Sequence, residues 1–343
     1  MSHNATTLSS WVRCIKAALD ARGIDSLALF AQAGLDPSSL SDPNARYPQA
    51  GITALWRLAV QASGDEAFGL DVSRQVNQTT FHAMGYSLLA SPSLEECFSR
   101  ILRYFRIVSD AAELDFQQQP KDQYKFFMHP LPGDSRPSDE AIDALMSVLI
   151  RLCRALAGKA FRAQEVTLLR PPPHDPSPWE KVFKAPVSFN AKENAIVFKG
   201  SDIRAPLPFA NPELARHNDA ILTRYLAHFD KENTANRVHA TLVEMLPEGE
   251  PSQEKVANCL HLSLRNLQRK LSDEGTSYKQ ILNNTRQDLA LSYIADSSYT
   301  ISEITYLLGF SDSSSFTRAF KRWTGQSPSA YRQAQTSKTT QAS

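Results

Sequence analysis

Residues 300–332 read TISEITYLLGFSDSSSFTRAFKRWTGQSPSAYR, and this stretch decides the fold of the second part of the chain. Thr300 can cap a short helix carrying Ile301, Ile304, Leu307 and Leu308 on one face. Gly309 then supplies a residue at ease with positive φ, which a tight turn between two helices requires. Ser311, Asp312 or Ser313 can cap the next helix, which turns Phe316, Phe320 and Trp323 inward. Its opposite face carries Ser313, Ser314, Thr317, Arg318 and Lys321 at spacings of three and four. Gly325 closes that helix and Pro328 opens another. Two short helices joined by a glycine turn, the second with a hydrogen-bonding face, have the form of a helix-turn-helix.

Spacing alone fits an ordinary amphipathic hairpin equally well. The wording of the stretch separates the two. LGFSDSSSFTRAFKRWTGQSPSAYR resembles the second helix-turn-helix of the AraC/XylS family of bacterial transcription regulators. Thr305 stands where that family usually has alanine, and its hydroxyl is small enough for the packing side of a helix. The resemblance implies a cytoplasmic regulator that binds promoter double-stranded DNA and contacts RNA polymerase.

A second module lies upstream, in PSQEKVANCLHLSLRNLQRKLSDEG (251–275). A short helix through Val256, Ala257 and Leu260 leads through a turn to a helix capped by Ser263. Leu264, Leu267 and Leu271 are expected to face the core, with Arg265, Gln268, Arg269 and Ser272 on the other face. The family usually has glycine in this turn, where His261 stands. Histidine tolerates the left-handed region better than most residues, so a strained turn is expected there.

The recognition chemistry follows from residue type. Arginine can pair with guanine O6 and N7, glutamine with adenine N6 and N7. Short Ser and Thr side chains let the backbone approach and can bond phosphate or base. Arg265, Gln268 and Arg269 are the candidate readers of the first head, and Ser314, Thr317 and Arg318 those of the second. Ser313 belongs to the same face, while Asn266, Lys279, Lys321 and Arg322 suit phosphate contact or solvated charge. Counted from caps at Ser263 and Ser313, Arg269 and Arg318 stand six and five residues in. A helix from Ser277 to Asp296 joins the heads. Its length, about 30 Å, approaches the roughly 34 Å repeat of DNA.

The 343 residues suit two domains, and 42% hydrophobic with 21% charged residues describes a globular protein with real cores. No apolar run reaches a membrane span, and no basic start followed by an apolar stretch marks a secretory signal. Four scattered cysteines (Cys14, Cys97, Cys153, Cys259) form no CxxC pair, so reduced and buried thiols are expected. Net charge is only +1. From 263 to 332, nine Lys/Arg face six Asp/Glu, a surplus of three. The DNA reading therefore rests on the motif and not on charge.

In the first part, helices are expected through Trp11–Leu19, Leu27–Ala33 and Ile52–Ala59. DPSSLSDPNARYP reads as a turn-rich connection. Ser93 with Glu96 makes a capping box for a helix to about Ser109, and another helix runs from about Ser138 to Ala157. ELDFQQQ and YKFFMHP alternate as two strands, EVTLLRP is a third, and PVSFN with AIVFKG form a further strand pair. FHAMGYSLLASPSLEECFSRILRYFRIVSD and PWEKVFKAPVSFNAKENAIVF resemble the arabinose-binding-type N-terminal domain of one AraC subgroup, which implies effector sensing or self-association as a homodimer. The expected fold class is an α+β N-terminal domain followed by an all-α C-terminal domain with two helix-turn-helix modules. The expected organisation is a sensing or dimerisation domain at 1–205 and a linker with connector helix at 206–235. A DNA-binding domain follows at 236–336, with helix-turn-helix modules at about 252–273 and 300–324, and a disordered tail at 337–343.

No nucleophile elbow, P-loop or HExxH appears, and His82, His129 and His174 lack metal-ligand spacing. No catalytic residue, cofactor or metal is expected, and an enzyme is the weakest class. Tyr86, Tyr104, Phe105, Phe127 and Trp179 can line an effector pocket or serve as core. A first domain that only dimerises is the alternative to one that senses a small molecule.

Overall fold

In the computed structural model, which describes residues 5–229, 234–294 and 299–333, the change from helical to alternating periodicity near residue 110 marks the start of a sheet. The unit Met1–Asn211 begins with β1 (Thr6–Leu8), α1 (Ser9–Asp20), α2 (Ser26–Gln32), β2 (Arg46–Pro48) and α3 (Gln49–Ser63). It continues through α4 (Phe68–Val72), α5 (Ala83–Leu89), α6 (Leu94–Val108), β3 (Ala112–Gln119), β4 (Gln123–Pro130) and α7 (Asp139–Ala157). It ends with β5 (Glu165–Thr167), α8 (Ser177–Phe183), β6 (Val187–Ser188), β7 (Asn194–Lys199) and α9 (Gly200–Arg204).

The main sheet has the order β3-β4-β7-β5-β6. Alternation on β4 buries Tyr124, Phe126 and Met128. Against this face α6 lays Phe98, whose ring lies 4.5 Å from Phe116, 5.6 Å from Phe126 and 5.2 Å from Phe198. Serine caps start the two long helices: Ser93 accepts from the Glu96 N–H and Ser138 from the Ala141 N–H. The expected capping box at Ser93 is only half made. The Glu96 carboxylate turns to Arg100, 3.1 Å away, one helical turn on.

Three expectations about strands are corrected. PVSFN and AIVFKG do not pair with each other: β6 runs parallel to β5, and β7 lies antiparallel between β4 and β5. The third strand stops at Thr167, because the Leu169 N–H turns to the Asn194 side chain at 2.9 Å and three prolines follow. The turn-rich connection also hides β2, which pairs with β1 in a small sheet of its own. Arg46 fastens that sheet, donating to Thr6 Oγ1 (2.7 Å) and to the Ile107 carbonyl (2.6 Å).

Behind the sheet, Asp143 of α7 forms a buried ion pair with Arg170, whose guanidinium lies 4.7 Å from the Trp179 ring. Burial pushes the Asp143 carboxyl up to about 7, although Arg170 pulls the other way. A carboxyl raised above its ordinary value loses stability as pH climbs from about 4 to about 7, because the native state then holds the extra proton. Arg170→Met should cost about 3–5 kcal/mol by stranding the carboxylate, and should steepen that loss with pH. Urea unfolding at pH 5 and pH 8 checks this, and Asp143→Leu with Arg170→Met should recover most of the stability.

The unit Pro212–Ser343 contains α10 (Pro212–Phe229), α11 (Thr234–Met245), α12 (Gln253–Cys259), α13 (Leu264–Asp273), α14 (Tyr278–Ile294), α15 (Ile301–Leu307) and α16 (Ser313–Thr324). Among the described residues from 234 to 333 there is no strand. Two small cores stabilise it. Val238, Leu242, Leu246, Val256, Leu267 and Leu271 meet Ile281 and Leu282 in one. Ile304, Leu308, Phe316 and Phe320 meet Ala290 and Ile294 in the other. The helix α14 thus feeds both. Its described part has 17 residues, and the expected last turn through Asp296 lies outside the described residues, as does the tail at 337–343. Cys14, Cys97 and Cys153 are buried as expected, but Cys259 is exposed at the end of α12, away from the side that buries Val256 and Ala257.

Candidate nucleic-acid interface

Each head is a short helix, a left-handed residue and a capped second helix. In the first, His261 has φ 56, its N–H donates to the Asn258 carbonyl, and the Leu262 N–H reaches the Ala257 carbonyl. In the second, Gly309 has φ 68, and the Gly309 and Phe310 N–H groups reach the Tyr306 and Thr305 carbonyls in the same pattern. Histidine thus occupies the conformation that glycine holds in the other turn. Thr300 and Glu303 form a reciprocal capping box at the start of α15. Thr305 is fully buried and returns its hydroxyl to the Ile301 carbonyl at 2.8 Å, so the departure from alanine strands no polar group.

The caps of the second helices set the register of the exposed faces. Ser263 accepts from the Asn266 N–H at 3.2 Å, and Asp312 accepts from the Ser315 N–H at 2.8 Å. Hydrogen bonds from Ser315 hold the Asp312 carboxyl below the usual carboxylate range. Asp312, and not Ser313, is the cap, because the second turn carries Phe310 and Ser311 where the first has only Leu262. Arg269 and Arg318 are therefore both six residues from their caps. Gln268 matches Thr317, Arg265 matches Ser314, and Ser272 matches Lys321.

Arg265, Gln268 and Arg269 are exposed on α13, with Asn266 half-buried; Leu264, expected inward, is only half-buried. On α16 Ser313, Ser314, Arg318, Lys321 and Arg322 are exposed and Thr317 is half-buried. Lys279 is exposed on α14. The two arginines rest on their own helices. Arg269 reaches Asp273 at 3.2 Å and the Asn266 side chain at 3.0 Å, while Arg318 donates to Ser315 Oγ at 3.3 Å. Gln268 donates to Gln253 of α12 at 3.4 Å. Such exposed pairs are weak, so each arginine is free to exchange them for another acceptor.

The group that sequence reasoning missed is Arg286 on α14. Its guanidinium is buried, donates to the Leu308 and Gly309 carbonyls (2.8 and 2.9 Å), meets Glu250 at 2.9 Å and lies 4.2 Å from the Phe310 ring. Gly309 sits so close to the 246–250 backbone that a Cβ there would lie 2.9 Å from the Gly249 carbonyl carbon. The second turn is thereby docked on the segment leading into the first head. The signal was present in Leu282, Arg286, Ala290 and Ile294, four residues apart on the inward face of one helix. An arginine in that phase needs buried acceptors.

In the first unit, the expected pocket aromatics separate. Phe105 lines a cavity of about 40 Å³ with Trp11, Trp56, Met128 and Leu145. Tyr104 and Trp179 are core, Phe127 is half-buried and Tyr86 is exposed. His82 has φ 53 and a ring nitrogen 3.1 Å from the Pro43 carbonyl. His129 stacks on Phe127, with ring centroids 5.7 Å apart. No helix among the described residues is long and apolar enough to cross a membrane.

Comparison with known proteins agrees with this geometry. Residues 23–207 match the family described as the arabinose-binding domain of AraC transcription regulators, N-terminal, and residues 256–334 match a helix-turn-helix domain family. The chain is 31% identical to the ornithine utilization regulator of Pseudomonas aeruginosa, over 91% of this chain and 92% of that one. It is 26% identical to an uncharacterized HTH-type transcriptional regulator of Mycobacterium tuberculosis, over 90% of this chain and 91% of that protein. Against the crystal structure of the transcriptional regulator CdpR from P. aeruginosa it shows 22% identity and a TM-score of 0.49, covering 94% of this chain and 97% of that one. The chain belongs to the AraC-type transcription regulators, in the group whose first domain is of the arabinose-binding type.

Proposed function

We propose that this regulator reads promoter double-stranded DNA with two equivalent helices and that a small molecule bound by its first domain sets whether it does so. Arg265, Gln268 and Arg269 read base edges from the first head, and Ser314, Thr317 and Arg318 from the second. Asn266, Lys279, Lys321 and Arg322 hold phosphates, and Ser313 lies on the same face as the second head's readers. Residues 1–205 sense the effector and self-associate, 206–235 connect, and 236–336 bind DNA and contact RNA polymerase. The protein acts in the cytoplasm, in dimeric form, and has no enzymatic role. The observation that carries this reading is the shared register of α13 and α16, in which hydrogen-bonding side chains recur at the same counts from their caps.

The name of the relative that regulates ornithine utilization supports control by a small metabolite. The other reading is a domain that only dimerises, and the cavity lined by Phe105 is small beside ordinary ligand pockets. Thermal unfolding of the full chain against a metabolite panel separates them, because a ligand selective for the folded state adds about 2.7 kcal/mol at a hundred times its Kd. Effector sensing predicts a compound that raises the melting temperature and changes affinity for the promoter. No such compound, with DNA binding and dimerisation intact, would leave dimerisation as the role of the first domain.

A further inference from the structure

The cavity described above is partly open, is lined from β1, α1, α3, α6, β3, β4 and α7, and none of its 13 described lining residues is ionisable. Its polar edge is a relay whose protons can be assigned. The Thr53 hydroxyl donates to the Arg136 carbonyl at 3.1 Å, so towards Gln49 Nε2, 3.2 Å away, it can only accept. That orients the Gln49 amide, whose Oε1 accepts from the Thr7 hydroxyl at 2.9 Å. With the Thr7 proton committed, the Ser109 hydroxyl, 2.8 Å away, must donate to Thr7. Every hydroxyl proton on this edge is spent within the protein. What remain unanswered are donors: of the two Gln49 Nε2 protons only one is accepted, by Thr53, and a second donor lies nearby. Trp56 is fully buried, lines the cavity, and its indole N–H has no acceptor among the described residues.

An incoming group must therefore supply an acceptor, since a buried donor without a partner is costly. The end that enters must also be uncharged, because no described residue of the lining offsets the desolvation of a carboxylate or an ammonium. Its apolar body meets Trp11, Ile52, Phe105 and Leu145. A volume of about 40 Å³ accommodates about three to four heavy atoms, given roughly 10–15 Å³ for one water on the same measure, so only one end of a larger molecule enters and the rest projects from the open side. We propose that this cavity is the effector site and that it takes the carbonyl end of a small neutral molecule, a ketone, ester or lactone, whose oxygen accepts from Trp56 Nε1–H. This rests on the effector-sensing reading above and narrows it: a free amino acid, charged at both ends, does not fit.

The test uses the full chain with ¹⁵N-labelled tryptophan, whose four indole N–H resonances are few enough to follow singly. Trp56→Phe assigns the relevant one. The probes are cyclopentanone, methylenecyclopentane and cyclopentylammonium, alike in shape but presenting an acceptor, no polar atom and a cation. Cyclopentanone should move the Trp56 resonance downfield to saturation and raise the melting temperature, and the other two should do neither at equal concentration. Ala141→Leu, which fills the cavity without touching the relay, should abolish the effect. If either variant does not fold, a lone indole resonance that moves with cyclopentanone and with neither other probe in the wild-type chain still supports the site. Failure of cyclopentanone to move any indole resonance overturns the site, and so does an equal response to the hydrocarbon or the cation. A metabolite that stabilises the chain while no indole resonance moves would place sensing elsewhere. A shift by cyclopentanone with no metabolite affecting DNA binding would sink effector control while leaving the cavity chemistry intact.

Discussion

Replacing Arg286 by methionine is expected to lower the affinity for a two-site promoter by about 10²-fold while leaving the affinity of each head for a single half-site nearly unchanged. The side chain does not belong to the exposed faces of α13 and α16. It holds the turn of one head, through the Leu308 and Gly309 carbonyls, to Glu250 just ahead of the other. Methionine keeps the volume and the contact with Phe310 but removes both charged hydrogen bonds and the ion pair with Glu250, leaving two turn carbonyls without their donor. The expected cost to the second unit is about 2–4 kcal/mol, because two turn carbonyls lose their donor while Glu250, more than half exposed, returns to water. Two rigidly spaced heads bind the second half-site at a high effective concentration, and that advantage falls when the junction loosens. Arg286→Lys keeps the charge but not the planar fork and should lie between wild type and methionine. Gel-shift titrations with one-site and two-site duplexes, alongside urea unfolding, separate loss of coupling from loss of fold. Equal losses on both duplexes would show that Arg286 only stabilises the unit.

Much of this architecture was legible in the residues, and what escaped has physical causes. Local signals carried well. The Ser138 cap, the Ser263 cap and the left-handed turns at His261 and Gly309 all depend on neighbours within four residues. The cap of α16 was ambiguous because Ser311, Asp312 and Ser313 are all good caps, and only the turn length selects among them. Strands of three residues, such as β1 and β2, show no alternation to detect. The pairing of β6 with β5 in place of β7 is a long-range choice that no local pattern encodes. Arg286 was missed for the same reason, since its acceptors come from two distant turns. In the first unit, the aromatic residues alone did not reveal the cavity, because Tyr104 and Trp179 carry the same apolar surface into the core.

The second large effect is expected at the two arginines six residues from their caps. Arg269 and Arg318 each leave only weak contacts on their own helix, with Asp273 and Asn266 or with Ser315, so DNA has little to displace. If each pairs with a guanine, Arg269→Ala and Arg318→Ala should each cost roughly 1–3 kcal/mol of affinity and relax preference at one position only. Lys321→Ala, by contrast, should weaken all sequences alike and flatten the salt dependence. If the described part of α14, about 25 Å long, together with the Arg286 junction, sets the heads on successive turns, their spacing is fixed. The two relaxed positions should therefore lie about ten base pairs apart. Selection of binding sites from a random duplex pool by the wild-type, Arg269→Ala and Arg318→Ala chains measures this directly. Two-headed reading predicts that each variant loses preference at its own position, one DNA turn from the other, and keeps the rest of the site. A variant chain of Arg318→Ala that selects the wild-type sequence with uniformly lower affinity would contradict it, leaving the first head alone to read bases.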